Sequence, residues 1–326
     1  MAAPPAYAQF DLIFGVDLAL ELTPAHPAPG ERLHARARSS LLDLSETQLR
    51  WSANGKPIAE GIGVTEVDVT AGALGSETQL TVTALENALE FSSAEATIAP
   101  VELDLLWEAD SYVPPFYRGR ALPSAGTNLR LEAIPRFVRS GSSVPLRDII
   151  FTWKRDGYVI AAASGRGKSK ATVESPPLFA SETISVEAKT SDGRLQGVAS
   201  ARISSQEPHV ALYENDPVFG IAYHRALARE NQIPEIETTF AAVPYFAEAA
   251  SPDDTALIYN WRVNDIGIAN DPEHPSGLTI NASGSSGSAL IELLLKHATN
   301  LFINAPGSWL VNFQSAGAQA PFVGSE

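Results

Sequence analysis

The sequence predicts an all-β protein made of three consecutive two-sheet sandwiches, and three observations carry that reading. Short runs of alternating apolar and polar residues recur along the 326 residues, punctuated by 23 glycines and 23 prolines. A tryptophan followed by a tight-turn sequence occurs three times. Beyond each tryptophan the same spacing of apolar pairs returns, which marks a repeat of one structural unit.

The first run is the longest. Phe10, Leu12, Phe14, Val16, Leu18, Leu20 and Leu22 alternate with mostly polar or small residues, the two-residue period of a strand. A second strand follows, with Leu33, Ala35 and Ala37 facing inward; its counterparts are Leu129, Leu131 and Ala133, then Ile236, Thr238 and Phe240. The later copies continue into Ala133-Ile134-Pro135-Arg136-Phe137 and Ala242-Val243-Pro244-Tyr245-Phe246. A proline there belongs at a strand end or sheet edge, where no ladder donor is missed.

The tryptophan strands read Leu49-Arg50-Trp51-Ser52-Ala53-Asn54-Gly55, Phe151-Thr152-Trp153-Lys154-Arg155-Asp156-Gly157 and Tyr259-Asn260-Trp261-Arg262-Val263-Asn264-Asp265. Each ends in residues that tolerate positive φ, as a hairpin turn requires. Apolar pairs come next: Val67 and Val69, Ala171 and Val173, Leu278 and Ile280. A second set follows at Leu80 and Val82, Ile184 and Val186, Ile291 and Leu293. The step from Val69 to Leu80, Val173 to Ile184 and Ile280 to Ile291 is 11 residues each time. Residues 289–297 also suit a helix, but their alignment with strands in the other copies outweighs that propensity. Closing strands end near Ile98, Ile203 and Phe313.

About seven short strands per hundred residues is the pattern of the immunoglobulin-like sandwich, with the tryptophan on its third strand between the sheets. The expected domains are residues 1–100, 101–206 and 207–315, followed by a small-residue tail at 316–326.

Composition narrows the function. Hydrophobic residues make up 44% and charged residues 19%, and the net charge is −15. So acidic a surface repels phosphate backbones, so no nucleic-acid partner is expected. With no cysteine, disulfides, thiolate metal sites and cysteine nucleophiles are excluded. No apolar run reaches the roughly 20 residues of a membrane span. The start, Met1-Ala2-Ala3-Pro4-Pro5, lacks the basic and apolar regions of a signal peptide, and the expectation is a mature or trimmed chain with an added Met.

Between copies another motif repeats. Leu106-Trp107-Glu108-Ala109-Asp110 matches Leu212-Tyr213-Glu214-Asn215-Asp216. Each precedes a proline- and aromatic-rich stretch, then Tyr117-Arg118-Gly119-Arg120-Ala121-Leu122 or Tyr223-His224-Arg225-Ala226-Leu227. Such residues suggest a packed, stiff linker and an array that reads as a rod.

The Trp-x-x-Asn/Asp-Gly hairpin resembles that of polycystic-kidney-disease (PKD) and related bacterial immunoglobulin-like domains. With the junction motif added, residues 10–313 resemble uncharacterised secreted multidomain proteins of candidate-phyla bacteria. The resemblance implies a secreted or cell-surface location and brings no known catalytic residues. The first copy departs from it, lacking the Pro-x-Phe element and having a shorter stretch before Trp51, which bears on its sheet edge.

Each candidate site in the sequence has a plainer role beside it. Gly165-Arg166-Gly167-Lys168-Ser169 looks like the tail of a phosphate loop, but Ala162 stands where the first glycine belongs and a strand follows. Glu108, Asp110, Glu214 and Asp216 occupy equivalent junction places and are candidates for Ca²⁺, with Asp253, Asp254 and Asp271 further ones, but solvated or arginine-paired acids are the plainer reading. Arg32, His34, Arg36 and Arg38 share one strand face, which suits an anionic glycan or a partner's acidic patch, or else discourages edge pairing. Asn281-Ala282-Ser283 is a glycosylation sequon, incidental in a bacterial chain. The histidines have no metal spacing and no Gly-x-Ser-x-Gly elbow occurs.

No catalytic, cofactor-binding or metal residue is therefore expected, and no cofactor. The first functional reading is a non-enzymatic, secreted or surface-exposed rod, structural or adhesive, meeting a protein or glycan. Its contact residues are sought at 112–117 and 218–223, which serve either interdomain packing or a partner. The second is self-assembly through exchange of the N-terminal strand; the third is an accessory domain of a glycan- or peptide-directed hydrolase.

Overall fold

The computed structural model describes residues 18–86, 89–233, 237–282 and 287–313. In them every regular element is a strand except one 3-10 turn at Leu146–Asp148. Phe10, Leu12, Phe14 and Val16 of the expected opening strand, Ile236, Ser283 and the tail at 316–326 lie outside the described residues.

The first repeat comprises β1 (Leu18–Thr23), β2 (Arg32–Ser39), β3 (Gln48–Ala53), β4 (Lys56–Ile62), β5 (Glu66–Thr70), β6 (Thr78–Glu86) and β7 (Leu89–Ile98). They form sheets β1-β2-β5 and β4-β3-β6-β7. The second repeat runs through β8 (Glu102–Ala109), β9 (Asn128–Arg136), β10 (Val138–Arg139), β11 (Ser142–Ser143), β12 (Ile149–Arg155), β13 (Tyr158–Val159), β14 (Gly165–Arg166), β15 (Lys170–Glu174), β16 (Ser181–Thr190) and β17 (Gln196–Ser204). Its sheets are β15-β9-β8 and β13-β12-β16-β17, with β14 also on β12. The third holds β18 (His209–Asp216), β19 (Gly220–Ala226), β20 (Glu230–Ile233), β21 (Glu237–Tyr245), β22 (Leu257–Val263), β23 (Ile266–Ile268), β24 (Gly277–Asn281), β25 (Gly287–His297) and β26 (Asn304–Phe313). Its sheets are β19-β18-β21-β24 and β20-β26-β25-β22-β23. The fold is all-β, three immunoglobulin-like sandwiches in tandem. By contact density the chain divides into two compact units, one joining the first repeat to 132–171 and 183–201, the other joining 107–131 and 172–182 to the third repeat.

Trp51, Trp153 and Trp261 are 0%, 0% and 2% exposed, and they occupy the same register. Trp51 lies opposite Val82, Trp153 opposite Val186 and Trp261 opposite Leu293. The 11-residue step links β5 to β6, which lie in opposite sheets. Residues 289–297 are strand, because paired neighbours on both sides outweigh local propensity. Pro135 and Pro244 are next to last in β9 and β21. Both strands are internal to their sheets, so it is the strand end that accommodates the ring.

Two repeated hydrogen-bond devices hold each sandwich. Each indole donates to a backbone carbonyl 13 to 15 residues on: Val64 at 2.7 Å, Lys168 at 2.9 Å and Pro275 at 3.1 Å. The next carbonyl along accepts from the inward alanine of the facing sheet: Ala37 to Thr65, Ala133 to Ser169, and Ala242 to Ser276, at 2.8, 2.8 and 2.9 Å. Two adjacent peptide groups thus tie one sheet to the other without a disulfide. The second device is the turn. Asn54, Asp156 and Asn264 have φ of 50°, 47° and 48°. Each donates its backbone N–H to the carbonyl of Gln79, Thr183 or Leu290 on the adjoining strand, and its side-chain oxygen accepts the N–H of that same residue at 2.8 Å. We expect Asn264→Ala to cost about 2 kcal/mol, from one lost hydrogen bond and the strain of a left-handed alanine. Asn264→Gly should cost about half of that, since glycine adopts the turn freely. Urea titrations of the two variants check the order.

Candidate binding surface

The strand carrying Arg32, His34, Arg36 and Arg38 is central in its sheet, so it has no edge to protect. Its cations are matched from both flanking strands. Arg32 and His34 meet Asp68 at 2.9 and 3.0 Å, His34 and Arg36 meet Glu66 at 3.3 and 3.2 Å, and Arg38 pairs with Glu21. The arrangement is a charge ladder already complete within the sheet, poorly suited to a polyanion. The His34 hydrogen bond and Arg32 hold the Asp68 carboxyl below the usual aspartate range.

Gly165 and Arg166 form β14 on β12, and residues 167–169 connect it to β15. Lys168 spends its ammonium on the Ala162 carbonyl at 2.8 Å, and its own carbonyl takes the Trp153 indole. Asp253 accepts from the Ser276 N–H and hydroxyl, Asp254 from Ala250 and Ala256, and Asp271 from Glu273, all loop-closing bonds. Asn281 donates to Glu237. A groove of about 860 Å³ on the outward face of β22, β25 and β26 carries one carboxylate, Glu292, beside Arg229 and Arg262.

The junction motif needs correction. Glu102–Ala109 and His209–Asp216 are not linkers; each is the first strand of the next sandwich, because its inward alternation pairs with β9 or β21. Arg130 lies 3.6 Å from Glu108 and 3.7 Å from Asp110. Asp216 accepts from the N–H groups of Val218 and Phe219 at 2.7 and 2.9 Å and shapes a turn. Among the described residues no three His, Asp or Glu gather as a metal site.

Within the second unit the two aromatic stretches converge. Tyr112 donates its N–H to Ala247 at 2.7 Å and accepts from Phe246 at 2.8 Å. Ser111 bonds the Leu122 carbonyl, and Asn300 reaches Ala125 and Glu248. Residues 111–126 are pinned at several points although they contain no strand. Tyr213 on β18 and Tyr245 at the end of β21 share a hydroxyl–hydroxyl bond of 2.6 Å. Tyr117 packs edge-on against Tyr245 and Phe246, with ring centres 5.9 and 6.0 Å apart. Tyr223 on β19 lies 5.7 Å from Tyr213, ring centre to ring centre, with its phenol near that of Tyr112. Burial raises the Tyr112 and Tyr245 phenols well above the ordinary tyrosine range, so both remain neutral donors.

Phe116 stands beside this cluster, 93% exposed and with φ of 65°. A bulky residue in the left-handed region is strained by roughly 1–2 kcal/mol, and here the strain recovers no burial. On the β18–β19 turn Phe219 is 89% exposed. Arg120 sits 4.4 Å above the Trp107 ring. The aromatic and cationic composition is that of protein-contact hot spots. The sequence marked both stretches, but not the tyrosine network joining them, since its members are spread over 130 residues.

His209 stacks on Tyr245 with ring centres 4.9 Å apart, and burial lowers its imidazole below the ordinary histidine range. The folded protein disfavours the protonated ring, so unfolding takes up a proton. The stack's contribution is full above about pH 6.5 and is lost as pH falls through the lowered value. His209→Phe keeps the stack without the titration, so its melting temperature should fall less than that of the native chain between pH 7 and pH 4. Parallel pH profiles for the two would remove His209 as a cause.

No family model and no curated protein matches the chain. Among solved structures it is similar to the three N-terminal domains of the bacteriophage RB49 Highly Immunogenic Outer Capsid protein, at 11% identity and TM-score 0.27, covering 93% of this chain and 99% of that one. The central fibronectin-III array of RIM-binding protein matches at 10% identity and TM-score 0.31, over 86% and 96% of the two chains. The fibronectin(III)-like modules of Clostridium thermocellum CbhA match at 16% identity and TM-score 0.23, over 64% and 94%. These are strings of like modules; at such scores they bear on no function.

Proposed function

We propose that this chain is a non-enzymatic structural or adhesive component of a cell surface or secreted assembly, and that it holds a protein partner through the surface around Phe116. The single observation that carries the reading is the display of that strained, exposed ring on a segment whose backbone is pinned. Loops held by a rigid sandwich are where such modules place their contacts. The hairpin's resemblance to bacterial PKD-like domains supports the extracellular placement. Immobilised chain incubated with solubilised envelope fractions should retain a partner, and Phe116→Ser should reduce retention about tenfold or more, the size of a hot-spot loss. Equal retention by both would dismiss this surface.

Strand exchange is a second reading with its own support. In the sequence the apolar alternation from Phe10 to Leu22 is long enough to supply a strand to a second copy. Deleting residues 1–17 leaves the buried part of β1 in place. Light scattering should show loss of an oligomer if exchange occurs, and an unchanged monomer would rule it out.

A further inference from the structure

We infer that the partner of the Phe116 surface is an acidic polypeptide segment that sets carboxylates beside apolar side chains; this rests on the binding reading above. The argument is one of charge. In a chain of net charge −15 many cations find carboxylates within the fold, and others stay in solvent. Arg32, Arg36, Arg38, Arg50, Arg136 and Arg139 all do. Arg118, His224 and Arg225 form no ion pair among the described residues, and all three are exposed. They follow Tyr117 and Tyr223 in the repeated motif.

The structure links those two motifs physically. Tyr117, next to Phe116, packs on Tyr245, Tyr245 bonds Tyr213, and Tyr213 packs on Tyr223. Arg118 thus follows one end of this tyrosine chain, beside Phe116, and His224 and Arg225 follow the other. Carboxylates complement the cations, and an apolar side chain complements Phe116. An acidic polysaccharide would satisfy the charges yet offer the phenyl ring only a hydroxyl-clad surface. A peptide offers both.

The test uses the full chain and three probes: a synthetic peptide alternating glutamate with leucine, its glutamine counterpart, and heparin. The glutamate peptide should bind and weaken as salt rises, with the glutamine peptide about tenfold weaker or more. Arg118→Glu combined with Arg225→Glu should remove the difference between the peptides. Phe116→Gly should weaken glutamate-peptide binding yet unfold at a higher temperature, because glycine relieves the left-handed strain; a variant that merely misfolds would unfold lower. Equal affinity for the two peptides, or binding of heparin alone, would overturn the inference. If an envelope partner is retained through Phe116 but the glutamate peptide fails to compete, the acidic chemistry is wrong and the binding surface stands. If nothing depends on Phe116, both fall.

Discussion

Trp51→Ala should be among the most damaging single substitutions in the first sandwich, costing about 4 kcal/mol. The indole is fully buried in a core with Leu33, Leu49, Leu80, Val82 and Ile98. Removing it leaves a cavity on the order of a large aromatic side chain in a shell of branched residues that collapse only partly. It also deprives the Val64 carbonyl of its donor, beside the Thr65 carbonyl that receives Ala37 from the other sheet. A loss of that size is a large part of an ordinary domain's stability of about 5–15 kcal/mol. Trp51→Phe should cost less, about 2 kcal/mol, since it keeps most of the apolar contact but not the hydrogen bond. Amide exchange gives the sharper reading. The variant should lose protection in residues 18–98, while the third core, built around Trp261, Ile291 and Leu293, keeps its own. Uniform loss along the chain would show that the sandwiches do not bury separate cores.

Gly307→Ala should destabilise the third sandwich by about 3 kcal/mol, the upper range of overpacking. Gly307 lies opposite Leu293, which lies opposite Trp261. The Trp309 ring, two residues on and on the same inward face, fills the space a side chain would take. An added methyl would lie 2.1 Å from Trp309 Cη2 and under 3 Å from two further ring carbons. A rigid indole cannot yield as a lysine tip does, so the ring or the strand must move. Gly307 needs no positive φ; its role is space alone. A Trp309→Leu background should therefore relieve much of the penalty, and thermal melts of the single and double variants measure that coupling. Additive penalties would mean that the clash lies elsewhere.

The repeat was legible because burial imposes a period of two on every half-buried strand, and because each copy needs a large ring at the same place. Leu33, Ala35, Ala37, Leu129, Leu131 and Ala133 all face inward as that alternation requires. The turns were legible for a related reason, since few residues tolerate positive φ. Their side-chain clamp was not, because its partners Gln79, Thr183 and Leu290 lie 25 to 27 residues away and only N–H groups are involved. The junction motif misled in one respect: aromatics and prolines near a boundary look alike whether they stiffen a linker or begin a strand. The Arg32–Arg38 face shows the same limit. Alternation gives the side on which charges lie, but the neutralising Asp68, Glu66 and Glu21 belong to other strands.

Periodicity and turn chemistry are local, so the chain alone dictates three all-β sandwiches, each enclosing an indole, and the absence of cysteine removes disulfides from their stabilisation. Pairing between distant residues is not local. Which carboxylate quenches which arginine, which carbonyl meets each indole, and which cations are left over beside a displayed phenylalanine depend on how the sheets and loops come together. Only the folded chain decides them.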